Sequence, residues 1–303
     1  AVFFLARKCL PTPYTLGAAA WTAVSFANVR ESHFAVNDAA TACLIAGAMA
    51  LGFHANEKGA LKRWMTAAVL SGVANAFKYN AFPAFLALLG LRTIRFWRNR
   101  CQDSPIKMIR DLTTIAGLFL IGFLIVCPFP LLDSPTFFEE ISKLRTATEK
   151  PWPGQDTRWA GVQLAESVWI SEGALTTLLA LAGMVVLFRK RRWEWLVFPI
   201  LYGAMVCSHR LYFVRFSLPL LPWIAIWGAA AIHALIERIP VKQPTAIGLA
   251  AGLFALAAVE PCLKDLRSNE LLRQTDTRVA FLQWVKTEYP HRDLMARLNR
   301  RQG

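Results

Sequence analysis

Residues 112–132 read LTTIAGLFLIGFLIVCPFPLL, twenty-one positions without one Asp, Glu, Lys or Arg. A helix rises 1.5 Å per residue, so this stretch reaches about 30 Å, the thickness of a bilayer's hydrocarbon core. The same reading extends outward in both directions. Further charge-free windows cover 9–29, 39–56, 64–77, 173–188, 195–209, 216–236 and 243–259. Extended through their polar ends, they give nine expected spans near 12–29, 34–55, 61–79, 80–97, 111–132, 168–188, 193–208, 213–237 and 243–260. The fold class expected is all-α, a polytopic membrane bundle of about nine transmembrane helices.

Composition agrees with this. Of 303 residues, 55% are hydrophobic and 18% charged, and mean hydropathy is +0.36. One soluble core cannot hide that much apolar surface, so a soluble globular enzyme and a disordered chain are both excluded. The net charge is +14. No nucleic-acid motif accompanies it, and basic residues ordinarily crowd the cytoplasmic ends of membrane helices, so no nucleic-acid partner is expected. Alternate connections hold seventeen Lys and Arg, including RKRR at 189–192, against eight in the opposite connections, with nine after the last span. The richer side is expected to be cytoplasmic, with its cations simply snorkelling to the interface.

The six cysteines, Cys9, Cys43, Cys101, Cys127, Cys207 and Cys262, form no CxxC. Those inside apolar runs read as small buried hydrophobes. The chain begins with Ala1 in an apolar AVFFLA and ends in RLNRRQG, which reads as a piece of a longer protein. Expected domains are a transmembrane domain over 1–260 and the start of an extracytoplasmic domain over 261–303. The longest internal connection, 133–167, contains PWPGQDTRW (151–159), with Trp152 and Trp159 as either functional or interfacial anchors.

Ionisable groups are costly in a bilayer and tend to mark sites. The outer turns carry a set that snorkelling does not explain. The first reads RESHFAVNDA (30–39), with Arg30, Glu31, His33, Asn37 and Asp38. The second holds Lys78 and Tyr79. Glu166 and Glu172 begin the sixth span, and the last short turn carries His209, Arg210, Tyr212 and Arg215. Taken singly, Asp38 is a helix N-terminal acid, Lys78 a cation snorkelling outward, Arg210 and Arg215 lipid-phosphate partners, and His33 or His209 a hydrogen-bonded structural residue. Taken together on one face, they form a candidate site. Arg210, Arg215 and Lys78 suit a phosphate or diphosphate, because guanidinium forks bind its oxygens bidentately and Lys adds a point charge. Asp38 then orients a cation or a sugar hydroxyl. Arg30, Glu31, His33, Asn37, Tyr79 and Tyr212 are candidate substrate contacts. There is no GxGxxG, Walker motif, GxSxG or HExxH, so no cofactor is expected, and a divalent cation has no ligand set to support it.

The turn RESHFAVNDA, the helix ending GVANAFKYNAF (72–82), the stretch YFVRFSLPLLPWIAIWGAA (212–230) and DTRVAFLQWVKTEYP (276–290) together resemble polyprenyl-phosphate-sugar glycosyltransferases of the GT-C fold. The nearest group is the glycosyltransferase family 39, protein-mannosyltransferase-like set, which includes the lipid A aminoarabinose transferases. The similarity runs over most of residues 14–290 and rests on the order of these stretches. It implies an integral enzyme of a bacterial inner (plasma) membrane that moves a sugar from a polyprenyl phosphate to a lipid, glycan or protein acceptor outside the cytoplasm, with inversion. It implies that Asp38 is the family's second acidic position, Lys78 and Tyr79 its KY turn, and Arg215 the arginine near the donor phosphate. The principal base is expected in a first outer loop preceding Ala1, so the fragment alone is expected to be inactive. A transporter or flippase of a lipid-linked sugar is the main alternative, and an assembly protein the third. Transporters place polar groups near the midplane, whereas these lie at the outer ends.

Overall fold

In a computed structural model of the chain, residues 1–34, 36–99, 103–148 and 154–288 are described, and among them there are helices and no strands. Trp152 and Cys101 lie outside the described residues. The order is α1 (Val2–Ala6), α2 (Thr12–Ala23), α3 (Phe26–Ser32), α4 (Asp38–Lys58), α5 (Leu61–Phe77), a 3-10 turn (Tyr79–Ala81), α6 (Phe82–Arg98), α7 (Pro105–Val126), α8 (Phe129–Leu132), α9 (Ser134–Thr148), α10 (Ala160–Arg189), α11 (Glu194–Ser208), a second 3-10 turn (Val214–Leu220), α12 (Leu221–Ile236), α13 (Gln243–Arg273) and α14 (Thr277–Glu288).

Five segments are helical, long and apolar enough to cross a membrane: Asp38–Lys58, Pro105–Val126, Ala160–Arg189, Val214–Ile236 and Gln243–Glu288. The other expected spans hold shorter helices. α5 and α6 have 17 residues each and α11 has 15, at or below the lower bound for a span perpendicular to a bilayer. The span expected at 12–29 is two helices. Ser25 is extended, at ψ 126, and α3 restarts after it. Leu120, Ile121 and Ile125 on α7 and Leu178, Leu181 and Val185 on α10 point outward, as helices do when the solvent is hydrocarbon.

The 133–167 connection is not a loop throughout. It contains α8, α9 and the first turns of α10. Helix α10 starts eight residues before the expected span and bends at Gly173, whose φ of 78° and ψ of 168° only glycine adopts without strain. The bend frees the Ala174 amide, which donates to the Glu260 carboxylate at 3.1 Å. Glu260 thus caps the second half of α10 from α13.

Side chains of Trp64, Trp195, Trp223, Tyr202 and Phe198 fill the core. Phe53 stacks on Trp195 at 4.2 Å between ring centres. Helices α5 and α7 cross at two glycines. A Cβ on Gly72 would sit 2.1 Å from the Phe119 carbonyl oxygen, and one on Gly122 would sit 2.3 Å from that of Val69. Without hydrophobic drive between helices in lipid, such close backbone packing supplies the attraction. The cysteine expectation needs correcting. Cys43 is exposed and Cys127 and Cys207 are half-buried, so they sit on the bundle's apolar surface, where a small thiol fits as well as in a core.

The arginine-rich end departs from simple snorkelling. Arg92 is 1% exposed and pairs with Asp103 at 2.8 Å and Asp111 at 3.0 Å, joining α6 to α7. Burial works against the charged form of Asp103, but Arg92 and Lys107 hold its carboxyl below the ordinary value. Buried Glu194 is clamped by Arg98 and Arg192, each at 2.7 Å. Arg95 donates to the Asn56 carbonyl at the end of α4.

The chain falls into two compact units, Ala1–Cys262 and Leu263–Gly303. The boundary expected at 260/261 lies within the continuous helix α13. In the second unit, Asp276 caps α14 by accepting from the Arg278 amide at 2.7 Å.

Candidate functional site

The site lies in the first unit, where α4 begins, α5 ends and the second 3-10 turn passes between them. Asp38 opens α4, and its carboxylate is buried. A carboxylate at a helix N-terminus is favoured by the backbone dipoles. Lys78 is the extended residue that separates α5 from the first 3-10 turn, with φ −159°. Its ammonium pairs with Asp38 and lies 4.9 Å above the Phe216 ring. Pro219 and Pro222 interrupt the backbone donors of RFSLPLLP, and the chain there forms a tight 3-10 turn ahead of α12. The Tyr202 hydroxyl donates to the Phe216 carbonyl at 2.9 Å and fixes that turn. Arg215, on the turn, brings its Nε to 3.8 Å from the second Asp38 oxygen and lies over the Phe213 ring at 4.5 Å.

Two cations therefore share one carboxylate. The cluster keeps one positive charge in excess, and the Arg215 side chain, 36% exposed, presents it outward. The Asn37 carboxamide donates to the Phe77 carbonyl and ties the start of α4 to the end of α5.

Arg215 also lines a cavity of about 570 Å³, together with Arg30, Glu31, Tyr212, Asp156, Arg158 and Glu166. Arg158 binds Asp156 at 2.6 Å and Glu166 at 2.7 Å. Its side-chain and backbone hydrogen bonds hold the Asp156 carboxyl below the ordinary value. Arg30 approaches Glu31 more loosely, at 3.6 Å. Burial pushes the Tyr212 hydroxyl up to about 12, so it remains a neutral donor at physiological pH. Burial also lowers His209 below the usual imidazole value.

The structure thus gathers Asp38, Lys78 and Arg215 into one cluster and places Arg30, Glu31, Tyr212 and Arg215 around one cavity. Other residues singled out from the sequence lie elsewhere. His33 is exposed and engages the Val29 carbonyl at 2.8 Å within its own helix. Arg210 is exposed and does not line the cavity. Tyr79 turns its ring towards Phe123, 6.4 Å away on α7. Asn37 is a backbone tie. Sequence reasoning counted Glu166 in the outer set without giving it a role, and did not assign Asp156 and Arg158 to the site. The composition of PWPGQDTRW marked that stretch as more than a connector, but only the early start of α10 folds Glu166 back onto Arg158.

Deeper in the bundle, the Ser25 hydroxyl, at the break between α2 and α3, donates to the buried Glu172 carboxylate next to the Gly173 bend. Among the described residues, no three His, Cys, Asp or Glu side chains converge to hold a metal ion. No known protein family matches the chain, and no curated protein matches it.

In chemical terms, the cavity is lined by three arginines and three carboxylates, with a neutral phenol donor and the Arg215 guanidinium partly exposed. A partly dry guanidinium with a free edge binds phosphate oxygens and stabilises negative charge as it develops.

Proposed function

We propose that the protein transfers a sugar, with inversion, from a polyprenyl-phosphate donor to a lipid, glycan or protein acceptor in the cavity beside Arg215. The carrying observation is the net positive Asp38–Lys78–Arg215 cluster, whose exposed guanidinium forms part of the cavity wall. The resemblance of these stretches, taken in order, to GT-C enzymes supports the same reading. In it the chain crosses the membrane nine times, its arginine-rich end is cytoplasmic, and the cavity opens outside a bacterial plasma membrane.

In this mechanism the donor phosphate lies against Arg215 and Lys78. As the glycosidic C–O bond breaks, the leaving phosphate gains charge, and the two cations stabilise it. Asp38 is already engaged by both cations, so it acts as a positioning residue that holds them at the phosphate. The acceptor hydroxyl attacks the opposite face of the anomeric carbon, and its proton leaves to a carboxylate. Asp156 and Glu166 are held closely by Arg158, whereas Glu31 is held loosely. Among the described cavity carboxylates Glu31 is therefore the one to test as that base, against the expectation of a base in a preceding outer loop.

The test is transfer of a radiolabelled sugar from its polyprenyl phosphate by the full-length protein in proteoliposomes. Arg215→Ala is expected to lower transfer by about a hundredfold, the usual size of a lost transition-state donor, with membrane insertion intact. Unchanged transfer overturns the role of Arg215. Passage of the labelled lipid between leaflets with no transfer product overturns the enzyme reading in favour of a flippase.

A further inference from the structure

A second groove, of about 550 Å³, lies between α1, α4 and α5. His54, on its wall, is sixteen residues along α4 from Asp38, or about 24 Å at the helical rise. The groove is therefore at the opposite end of the bundle from the candidate site. Its rim is basic, with Arg7, Lys8 and Arg63, and its wall continues through Leu51 and Leu70. Leu70 lies seven residues, about 10 Å, further along α5 than Arg63. A charged rim above an apolar channel of that depth has the form of a lipid headgroup with the start of an acyl chain.

The charges at the rim are only partly used. Lys8 pairs with Glu57 at 3.2 Å, but Arg7 and Arg63 form no ion pair among the described residues. The histidine tautomer follows from its neighbour. Lys8 Nζ lies 2.6 Å from His54 Nδ1, and an ammonium only donates. His54 Nδ1 is therefore the acceptor and Nε2 carries the hydrogen, and Nε2 is buried without a partner in the protein.

We propose that this groove binds one anionic phospholipid, its phosphate between Arg7 and Arg63 and one acyl chain along Leu51 and Leu70. Basic pockets between helices at the positively charged end of a membrane protein select anionic headgroups in this way. The proposal is independent of the transfer reaction.

The test is native mass spectrometry of the intact chain in a non-ionic detergent, titrated with phosphatidylglycerol or with phosphatidylcholine of the same acyl chains. One phosphatidylglycerol is expected to be retained, about tenfold better than phosphatidylcholine. The pair Arg7→Gln with Arg63→Gln should abolish that preference. Leu51→Trp, which fills the channel and leaves every charge in place, should lower retention of phosphatidylglycerol. Lys143→Gln with Arg145→Gln, on the distant α9, should change neither. Equal retention of the two lipids overturns the proposal, as does a preference that survives the Arg7 and Arg63 substitutions. Retention unaffected by Leu51→Trp, with displacement by millimolar inorganic phosphate, also overturns it and assigns the rim to free phosphate. A loss of preference of the same size in the α9 variant reduces the effect to general charge and overturns it too.

Discussion

The two ends of the bundle use the same chemistry differently. At the arginine-rich end, buried Arg92 is shared by Asp103 and Asp111, and Lys107 supplies a second cation to Asp103. Each buried charge there is matched by charges on neighbouring segments. At the other end, one carboxylate, Asp38, is left to balance Lys78 and Arg215, and the surplus faces a cavity. A balanced buried network holds helices together. An unbalanced one, with a face left open, is prepared for a further anion. The distinction is between two clusters: two cations against two carboxylates around Arg92, and two cations against one around Asp38.

The contrast is most severely tested at Arg92. Removing it leaves two buried carboxylates without their shared cation. The cost of breaking such a pair is about 3–5 kcal/mol, so Arg92→Ala should unfold at markedly lower temperature. Transfer per folded molecule should stay near that of the parent. A thermal midpoint in detergent that does not move would show the network to be dispensable and would erase the difference between the ends.

Asp38 supplies the opposite case. Asp38→Asn leaves Lys78 and Arg215 facing each other without a counterion. Sugar transfer is expected to fall by about tenfold to a hundredfold, equivalent to about 1.4–2.7 kcal/mol. Asp38→Glu should recover part of it. The thermal midpoint should fall less than for Arg92→Ala, because Lys78 and Arg215 both reach the surface. A larger loss of stability than at Arg92, with transfer per folded molecule unchanged, would make the cluster one more structural network.

The helical architecture was legible in the sequence because charge-free runs of bilayer length leave few alternatives. The juxtaposition of Asp38, Lys78 and Arg215 was legible for a related reason: polar residues are conspicuous against such runs, and alternate turns between antiparallel helices return to the same end. Several features were not. The bend at Gly173 depends on a carboxylate from α13, eighty-six residues away in sequence, and no local pattern announces it. The break after Ala23 lies in a run that is apolar on both sides, so hydropathy does not see it. Arg92 sits five residues from an exposed tryptophan at the end of an apolar helix, and only its pairing with Asp103 and Asp111 shows that it turns inward. His33 and Arg210 were grouped with the site by proximity in sequence, yet each is the outward-facing member of its turn.

Ser25 asks whether the cavity end also contains a structural polar contact. Its hydroxyl donates to buried Glu172 beside the α10 bend. Ser25→Ala takes one donor from that carboxylate, and a buried acceptor short of a partner costs about 1–3 kcal/mol. A drop in thermal midpoint smaller than that of Arg92→Ala is expected, with the affinity for polyprenyl phosphate unchanged. A loss of that affinity instead would bring Glu172 into the substrate site and enlarge the functional end of the bundle.

The mildest test concerns the cavity's outer rim, where Arg158 holds Asp156 and Glu166. The group is exposed, so water screens it strongly, and it should behave as neither of the two ends does. The Asp156 carboxyl is lowered in the folded chain by its hydrogen bonds to Arg158. Its contribution is therefore complete above the ordinary carboxyl value, about 4, and is lost as pH falls through the lower folded value. Hydrogen exchange across residues 154–159, corrected for the intrinsic rate, should be flat between pH 8 and 5 and rise only below about 4. Arg158→Gln should remove that acid step while leaving exchange in α6 and α7 unaltered. A step near pH 6 would be inconsistent with a carboxyl lowered by Arg158 and would assign the rim's behaviour to a different group. A step that survives Arg158→Gln would show that Asp156 is held by something other than the arginine beside it.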